Sequence, residues 1–195
     1  MLLSLLACAN PWGAEAGLTG QGPLWPYPSL QLIDGEGRVA IPEGLMPEVE
    51  TSFDVQRLRA REGFSVVQSA VVRIEGVDPS ALPGRHPTEG PGAVRMIDLD
   101  TGLDLRTFAE MDLSPGQDGD LLVIRPLERM SPGHRIAVVV GTEAAPRPDR
   151  FASILADQDP EDIGEMGRCS RELVSELQGL GVEPDSIAIA WEFPV

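Results

Sequence analysis

The sequence predicts a mainly β protein, in which a β-sandwich is followed by a C-terminal helix and a final strand. Short runs rich in Val and Ile recur along the chain, with Gly, Pro and Asp clusters between them about every ten residues. Gly and Pro number 21 and 18 of 195 residues, which is high for a helical protein. The clearest runs are Leu121–Ile124 and Ile136–Val140, with Pro126 and the turn residues Ser131–Gly133 between them. Because branching at Cβ favours extended backbone, we expect two sandwich strands here, joined by the connection from Pro126 to Arg135.

The segments before this pair alternate between strands and turns. A hairpin is predicted over Gln31–Ala40, with its turn at Asp34–Gly37, and a short helix is predicted over Phe53–Arg61. Asp78 is expected to cap a single helical turn that begins with Pro79. The other predicted elements are a strand at Val66–Glu75, a loop at Arg85–Pro91, paired strands at Ala93–Asp98 and Leu103–Met111, and a turn at Ser114–Asp120.

The last part of the sequence changes character. Phe151–Leu155 fits either a short helix or the end of a strand. Pro160–Gly179 is predicted to be a helix, because its apolar residues recur at steps of three and four, and Ser186–Phe193 is predicted to be a strand. These patterns divide the chain into a leader at 1–8, a tether at 9–30, the sandwich at 31–150, and a helix and strand at 151–195 that lead toward a further domain.

Residues 1–8 form an apolar run that resembles a bacterial lipobox, since it ends in the sequence Leu5-Leu6-Ala7-Cys8. The resemblance implies that Cys8 is lipidated once the preceding residues are removed, so that its acyl chains hold the protein at a membrane surface. Residues 9–30, rich in Gly and Pro, would then form an extended tether. The alternative is an apolar N-terminus with an incidental cysteine.

Aromatic rings and prolines alternate in the segment Trp25-Pro26-Tyr27-Pro28, which is predicted to be extended. We expect Trp25 and Tyr27 to dock on the sandwich and cover its edge. The alternative is that the two rings form a binding platform for carbohydrate.

The charge balance limits the partners of the protein. The net charge is −16, and all 15 basic residues are arginines. Such a surface repels nucleic acid and anionic lipid headgroups, so neither is expected to bind it directly.

One cluster of acidic residues suggests a metal site. Asp98, Asp100 and Asp104 alternate along the predicted hairpin in a pattern that partly matches an oxygen-rich calcium loop. Such a loop needs a bidentate Glu at its twelfth position, where this chain has Ala109. The favoured alternative is a hairpin whose aspartates face solvent.

No catalytic residue and no cofactor are predicted. The Gly-x-Ser-x-Gly turn that presents the nucleophile of an α/β-hydrolase does not occur in the sequence. The two histidines, His86 and His134, lie in predicted turns. With Cys8 lipidated, Cys169 is expected to remain a lone thiol on the C-terminal helix, and a nucleophilic pair with His134 is disfavoured.

Several short motifs resemble, in the same order, the N-terminal region of large secreted bacterial α/β-hydrolases and lipase-like lipoproteins. They are Trp25–Ser29 (WPYPS), Leu58–Ser65 (LRAREGFS), Val77–Pro83 (VDPSALP), Val94–Gly102 (VRMIDLDTG), Leu122–Val140 and Ala190–Phe193 (AWEF). The resemblance implies an Ig-like β-sandwich placed ahead of a catalytic domain. The chain departs from the family in the short loop Gly141–Arg150, where a longer loop is usual.

What the resemblance implies for function is a non-catalytic Ig-like structural domain of a bacterial lipoprotein. The domain would be lipid-anchored in the cell envelope or extracellular, and a covalently attached hydrolase domain would follow it. The alternative is a free-standing surface binding or adhesion module, which would act through Trp25 and Tyr27 or through the acidic loops and could bind calcium.

Overall fold

Two antiparallel β-sheets form the centre of the fold. The computed structural model describes residues 26–41, 55–84, 92–113, 121–158 and 164–195. Within these ranges the strands are β1 (Ala70–Arg73), β2 (Val94–Asp98), β3 (Leu103–Leu105), β4 (Thr107–Met111), β5 (Leu121–Pro126), β6 (Arg135–Gly141) and β7 (Ile187–Pro194). One sheet has the order β1-β5-β4 and the other has the order β3-β2-β6-β7. The predicted mainly β fold is confirmed, and the arrangement is consistent with a β-sandwich.

Three α-helices and three short 3-10 turns accompany the sheets in the described residues. The helices are α1 (Val55–Arg59), α2 (Asp149–Leu155) and α3 (Gly164–Gly179). The 3-10 turns are Leu30–Leu32, Pro79–Ala81 and Pro184–Ser186. The segment Phe151–Leu155, for which the sequence allowed either a helix or the end of a strand, is therefore helical.

The three-stranded sheet buries one face, whereas strands β6 and β7 of the four-stranded sheet are buried on both. Burial alternates along β1 and β5, as expected for strands with one face toward the core. By contrast, five consecutive residues of β6 and seven of β7 are buried. One side of β6 and β7 shares the core with the other sheet, and α3 packs against the second side. This double coverage explains why these two strands have continuous apolar runs instead of an alternating pattern.

The predicted strand Leu103–Met111 is two strands in two different sheets. β3 pairs with β2 as predicted, but β4 pairs with β5 in the other sheet. The break lies at Arg106, whose amide donates to the side chain of Glu128 at 2.6 Å instead of to a strand. The prediction that Leu103–Met111 is one continuous partner of β2 was wrong. The contact that interrupts the strand involves Glu128, 22 positions away, so the residues around Arg106 do not reveal it.

The predicted boundary after residue 150 is not a boundary of the sheet. β7 pairs with β6 from Arg135 opposite Pro194 to Gly141 opposite Ile187. Helix α3 buries Leu173, Val174 and Leu177 in the same core. The helix and strand of residues 151–195 therefore belong to the same packed unit as the sandwich.

The smaller predicted elements are mostly present in shorter form. A bridge between Ile33 and Val39 confirms the N-terminal hairpin, although its first residues form the 3-10 turn. Asp78 caps its turn as predicted, accepting the amide of Ser80 at 2.9 Å. Helix α1 and strand β1 lie inside their predicted ranges. The predicted loop 85–91 and turn 114–120 lie outside the described residues.

Candidate functional site

Asp98 organises the turn between β2 and β3. Its Oδ1 accepts the backbone amides of Asp100 and Thr101 at 3.0 and 3.1 Å, and its carbonyl accepts the amide of Gly102 at 2.7 Å. Gly102 has a φ of +71°, a backbone conformation that favours glycine. The turn therefore follows from the local sequence Asp98–Gly102, and it fixes the Asp98 carboxylate at the end of the sheet.

His134, which lies in the β5–β6 connection, contacts this turn. Its Nδ1 lies 2.7 Å from Oδ2 of Asp98, and the side chains of the two residues are 30% and 6% exposed. The next residue, Arg135, donates its backbone amide to Oδ2 of Asp100 at 2.7 Å. The hydrogen bond with Asp98 raises the pKa of His134; desolvation opposes this, and the negative charges of Asp98 and Asp100 add to it. The cluster thus favours an imidazolium beside two carboxylates.

The predicted calcium residues are only partly brought together. One ligand atom each from Asp98, Asp100 and His134 lies within 4.8 Å of the others, and these residues are the candidate metal group among the described residues. Asp104 is held elsewhere, because both of its carboxylate oxygens accept hydrogen bonds from Arg95 at 2.7 Å. A His nitrogen also suits a transition metal better than calcium. Backbone amides already occupy Asp98 Oδ1 and Asp100 Oδ2, and His134 Nδ1 occupies Asp98 Oδ2, so these three oxygens have partners without a metal ion.

Sequence reasoning did not place His134 in this cluster. The residue stands in the predicted connection from Pro126 to Arg135, which gives it no partner. The signal that was available is the pairing of β2 with β6, since Asp98 lies opposite Ile136, two positions after His134.

A second polar network joins helix α3 to the four-stranded sheet. Arg135 donates from Nε to Glu192 on β7 at 2.8 Å and from Nη2 to Glu176 on α3 at 2.8 Å. Burial opposes the charged form of Arg135, but the hydrogen bonds to Glu192 and Glu176 outweigh it and raise the arginine pKa. Burial raises the pKa of Glu192, and the bond to Arg135 only partly offsets this. The network holds the helix on the sheet.

Aromatic residues form a third group, along the edge of the sandwich. Tyr27 exchanges two backbone hydrogen bonds with Val71 of β1, at 2.9 and 2.7 Å. Its ring stands edge-on to Phe64, and Phe64 stands edge-on to Phe193, with centroids 5.8 and 6.0 Å apart. Burial raises the pKa of the Tyr27 hydroxyl. Tyr27 thus docks on the sandwich edge as expected, whereas Trp25 lies outside the described residues, and the carbohydrate platform stays a prediction.

The remaining predicted residues add no catalytic group to these clusters. Cys169 on α3 is 8% exposed and disulfide-bonded, where the sequence predicts a lone thiol, so it offers no nucleophile to His134. Cys8 and His86 lie outside the described residues. Within the described part of the chain, no helix combines the length and apolar composition that crossing a membrane requires.

The chain matches no protein-family model, no curated protein sequence and no solved structure.

Proposed function

We propose that this chain is a non-catalytic Ig-like structural domain of an exported bacterial protein and that it positions a hydrolase domain attached after it. The order of the strands supports the Ig-like assignment. In Ig domains, strands A, B, E and D form one sheet, and strands C, F and G form the other, with C′ added in the variable type. We count the Tyr27 bridge as strand A and letter the following strands in chain order, with β1 as B, β2 as C, β3 as C′ and β4 to β7 as D to G. The spatial orders of the two sheets are then A-B-E-D and C′-C-F-G.

The use of the charged residues favours a structural role over a binding role. Arg135 links β6 to β7 and α3, while Arg147 donates to the carbonyls of Ile187 and Pro184 at 2.7 and 2.8 Å. In both cases the side chain joins elements that are distant in sequence. Helices α2 and α3, inserted between β6 and β7, also cover a face of the four-stranded sheet that would otherwise be available to a partner.

The single observation that carries the positioning role is the anchoring of the end of β7. The amide of Phe64 donates to the carbonyl of Pro194 at 2.9 Å, and the amide of Gly133 donates to the carbonyl of Val195 at 2.6 Å. The amide of Val195 in turn donates to the carbonyl of His134 at 3.0 Å. A domain joined after Val195 would therefore follow an anchored strand end and not a loose linker, which limits how far its orientation can vary.

Two experiments test the proposal. The purified chain should show no turnover of p-nitrophenyl esters, and turnover that is lost in a His134→Ala variant would overturn the proposal.

A longer open reading frame with a Gly-x-Ser-x-Gly motif would provide the hydrolase domain for the second test. That domain should lose thermal stability when residues 1–195 are deleted, and an unchanged melting temperature would contradict the positioning role.

A further inference from the structure

The end of the domain where β7 finishes is held together through His134. The side chain of His134 bonds to Asp98, 36 residues away, while its backbone carbonyl accepts the amide of Val195. The neighbouring residues add parallel bonds, since Gly133 donates to Val195 and Arg135 donates to Asp100. A change in the His134–Asp98 contact therefore acts on the β5–β6 connection and on the end of β7 together.

We propose that the His134–Asp98 contact is a pH-operated latch, which holds the end of β7 when His134 is protonated and loosens it when the proton leaves. Asp98 is 4% exposed, so its carboxylate depends on neighbouring groups in place of water. When the imidazole becomes neutral, Asp98 keeps its backbone amide donors but loses its cationic partner.

The charged groups around His134 come from each element packed against it. The β2–β3 turn contributes the carboxylates of Asp98 and Asp100. From β6, the guanidinium of Arg135 extends to Glu192 and Glu176 and so is neutralised there. In the β5–β6 connection, Glu128 is paired with Arg106, and the end of β7 contributes backbone groups. The charges that face the imidazole are thus two carboxylates, which favour its protonated form.

The direction of the pH effect follows from the raised pKa of His134. A group that binds its proton more tightly in the folded state stabilises that state fully below its unfolded pKa, here about 6.5. This stabilisation is lost as the pH rises through the folded value. The latch is therefore closed in acidic solution and loosens as the pH rises through the folded pKa of His134, which lies above 6.5.

Hydrogen exchange tests the latch on the amides of Gly133, Arg135 and Leu99, with intrinsic exchange rates corrected for pH. In the wild-type chain between pH 5.5 and 8.5, we expect protection to fall by about tenfold for each unit by which the pKa is raised. His134→Gln keeps a donor but cannot gain a charge, so its protection should not change with pH. His86→Gln, which alters the chain's other histidine, should behave as the wild type. Equal pH dependence in wild type and His134→Gln would overturn the proposal.

A measurement on the wild-type chain keeps the test valid if His134→Gln does not fold. The imidazole of His134 should titrate above 6.5 in an NMR pH series, with no change on adding EDTA. Titration at or below that value would overturn the latch. A shift on adding EDTA would also overturn it, because it would identify a bound metal ion as the bridge between His134 and Asp98.

Discussion

Trp191 donates its indole N–H to the carbonyl of Pro28 at 2.9 Å and so joins residues 163 positions apart. Trp191 is 3% exposed and lies on β7, one of the two edge strands of the four-stranded sheet. Edge strands present unpaired backbone groups that favour association with other chains. Here the segments around Pro28 and Phe64 lie along this strand, so residues 26–30, predicted as the end of the tether, belong to the fold.

Replacing Trp191 with Phe should destabilise the domain. The substitution removes the indole donor and leaves the buried Pro28 carbonyl without its partner, and we expect a loss of about 1–3 kcal/mol in the free energy of unfolding. Urea denaturation monitored by circular dichroism measures the change. Trp25→Phe, at a ring outside the described residues, provides the matched control. Equal stability of Trp191→Phe and wild type would contradict the role of this contact.

Gly63 allows the chain to pass close to the end of β7. A Cβ at this position would lie 2.8 Å from the backbone carbonyl carbon of Val195, closer than real contacts allow. Gly63→Ala should therefore cost about 1–3 kcal/mol, because backbone has to move. Gly35→Ala is the control, since no atom lies within 4 Å of its Cβ position. If both variants unfold at the same urea concentration, the close packing at Val195 is not required.

The sequence predicts those elements whose cause is local. The Asp78 cap needs only the neighbouring Pro79 and Ser80, and the apolar run of β6 is visible without knowledge of what covers it. The partners of Arg106 and His134 are 22 and 36 residues away, so no periodicity reports them. Asp104 shows the same limit, because its spacing suggested a shared site with Asp98, whereas the strand register brings it to Arg95.

Loss of Arg135 should be more damaging at neutral than at acidic pH. Arg135→Met leaves Glu192, whose side chain is 10% exposed, as a buried charge without its partner, at a cost of about 3–5 kcal/mol. Because burial raises the pKa of Glu192, the penalty exists above the ordinary pKa of a glutamate and disappears as protonation neutralises the group. Urea unfolding at pH 7 and pH 4.5 measures this difference.

Glu176→Gln is the matched control for Arg135→Met. The side chain of Glu176 is 36% exposed, so water can solvate the groups that lose their ion pair in this variant. We expect a loss below about 1 kcal/mol in the free energy of unfolding. If Arg135→Met is equally destabilised at both pH values, the lost packing of the arginine side chain accounts for the effect and not the charge of Glu192.

Calcium should not bind with useful affinity to the aspartates of the β2–β3 hairpin. A calcium ion needs six to eight oxygen ligands, whereas Asp104 is engaged with Arg95, and Asp98 accepts backbone amides and faces His134. Isothermal calorimetry at millimolar calcium should give no heat beyond dilution. Heat that disappears in Asp98→Ala and Asp100→Ala, but not in Asp34→Ala, would favour the adhesion alternative instead.

The state of Cys8 separates a lipid-anchored protein from one that is exported without an anchor. The sequence has two cysteines, and Cys169 is disulfide-bonded, a bond that is commoner in exported than in cytosolic proteins. Acylation of Cys8 and a disulfide to Cys169 exclude each other, because both consume the same thiol. Non-reducing peptide mass spectrometry of the exported protein should find a cross-linked peptide containing Cys8 and Cys169, because Cys8 is the only other cysteine in the sequence. Acyl chains on Cys8 would instead identify a lipid-anchored protein and contradict the disulfide.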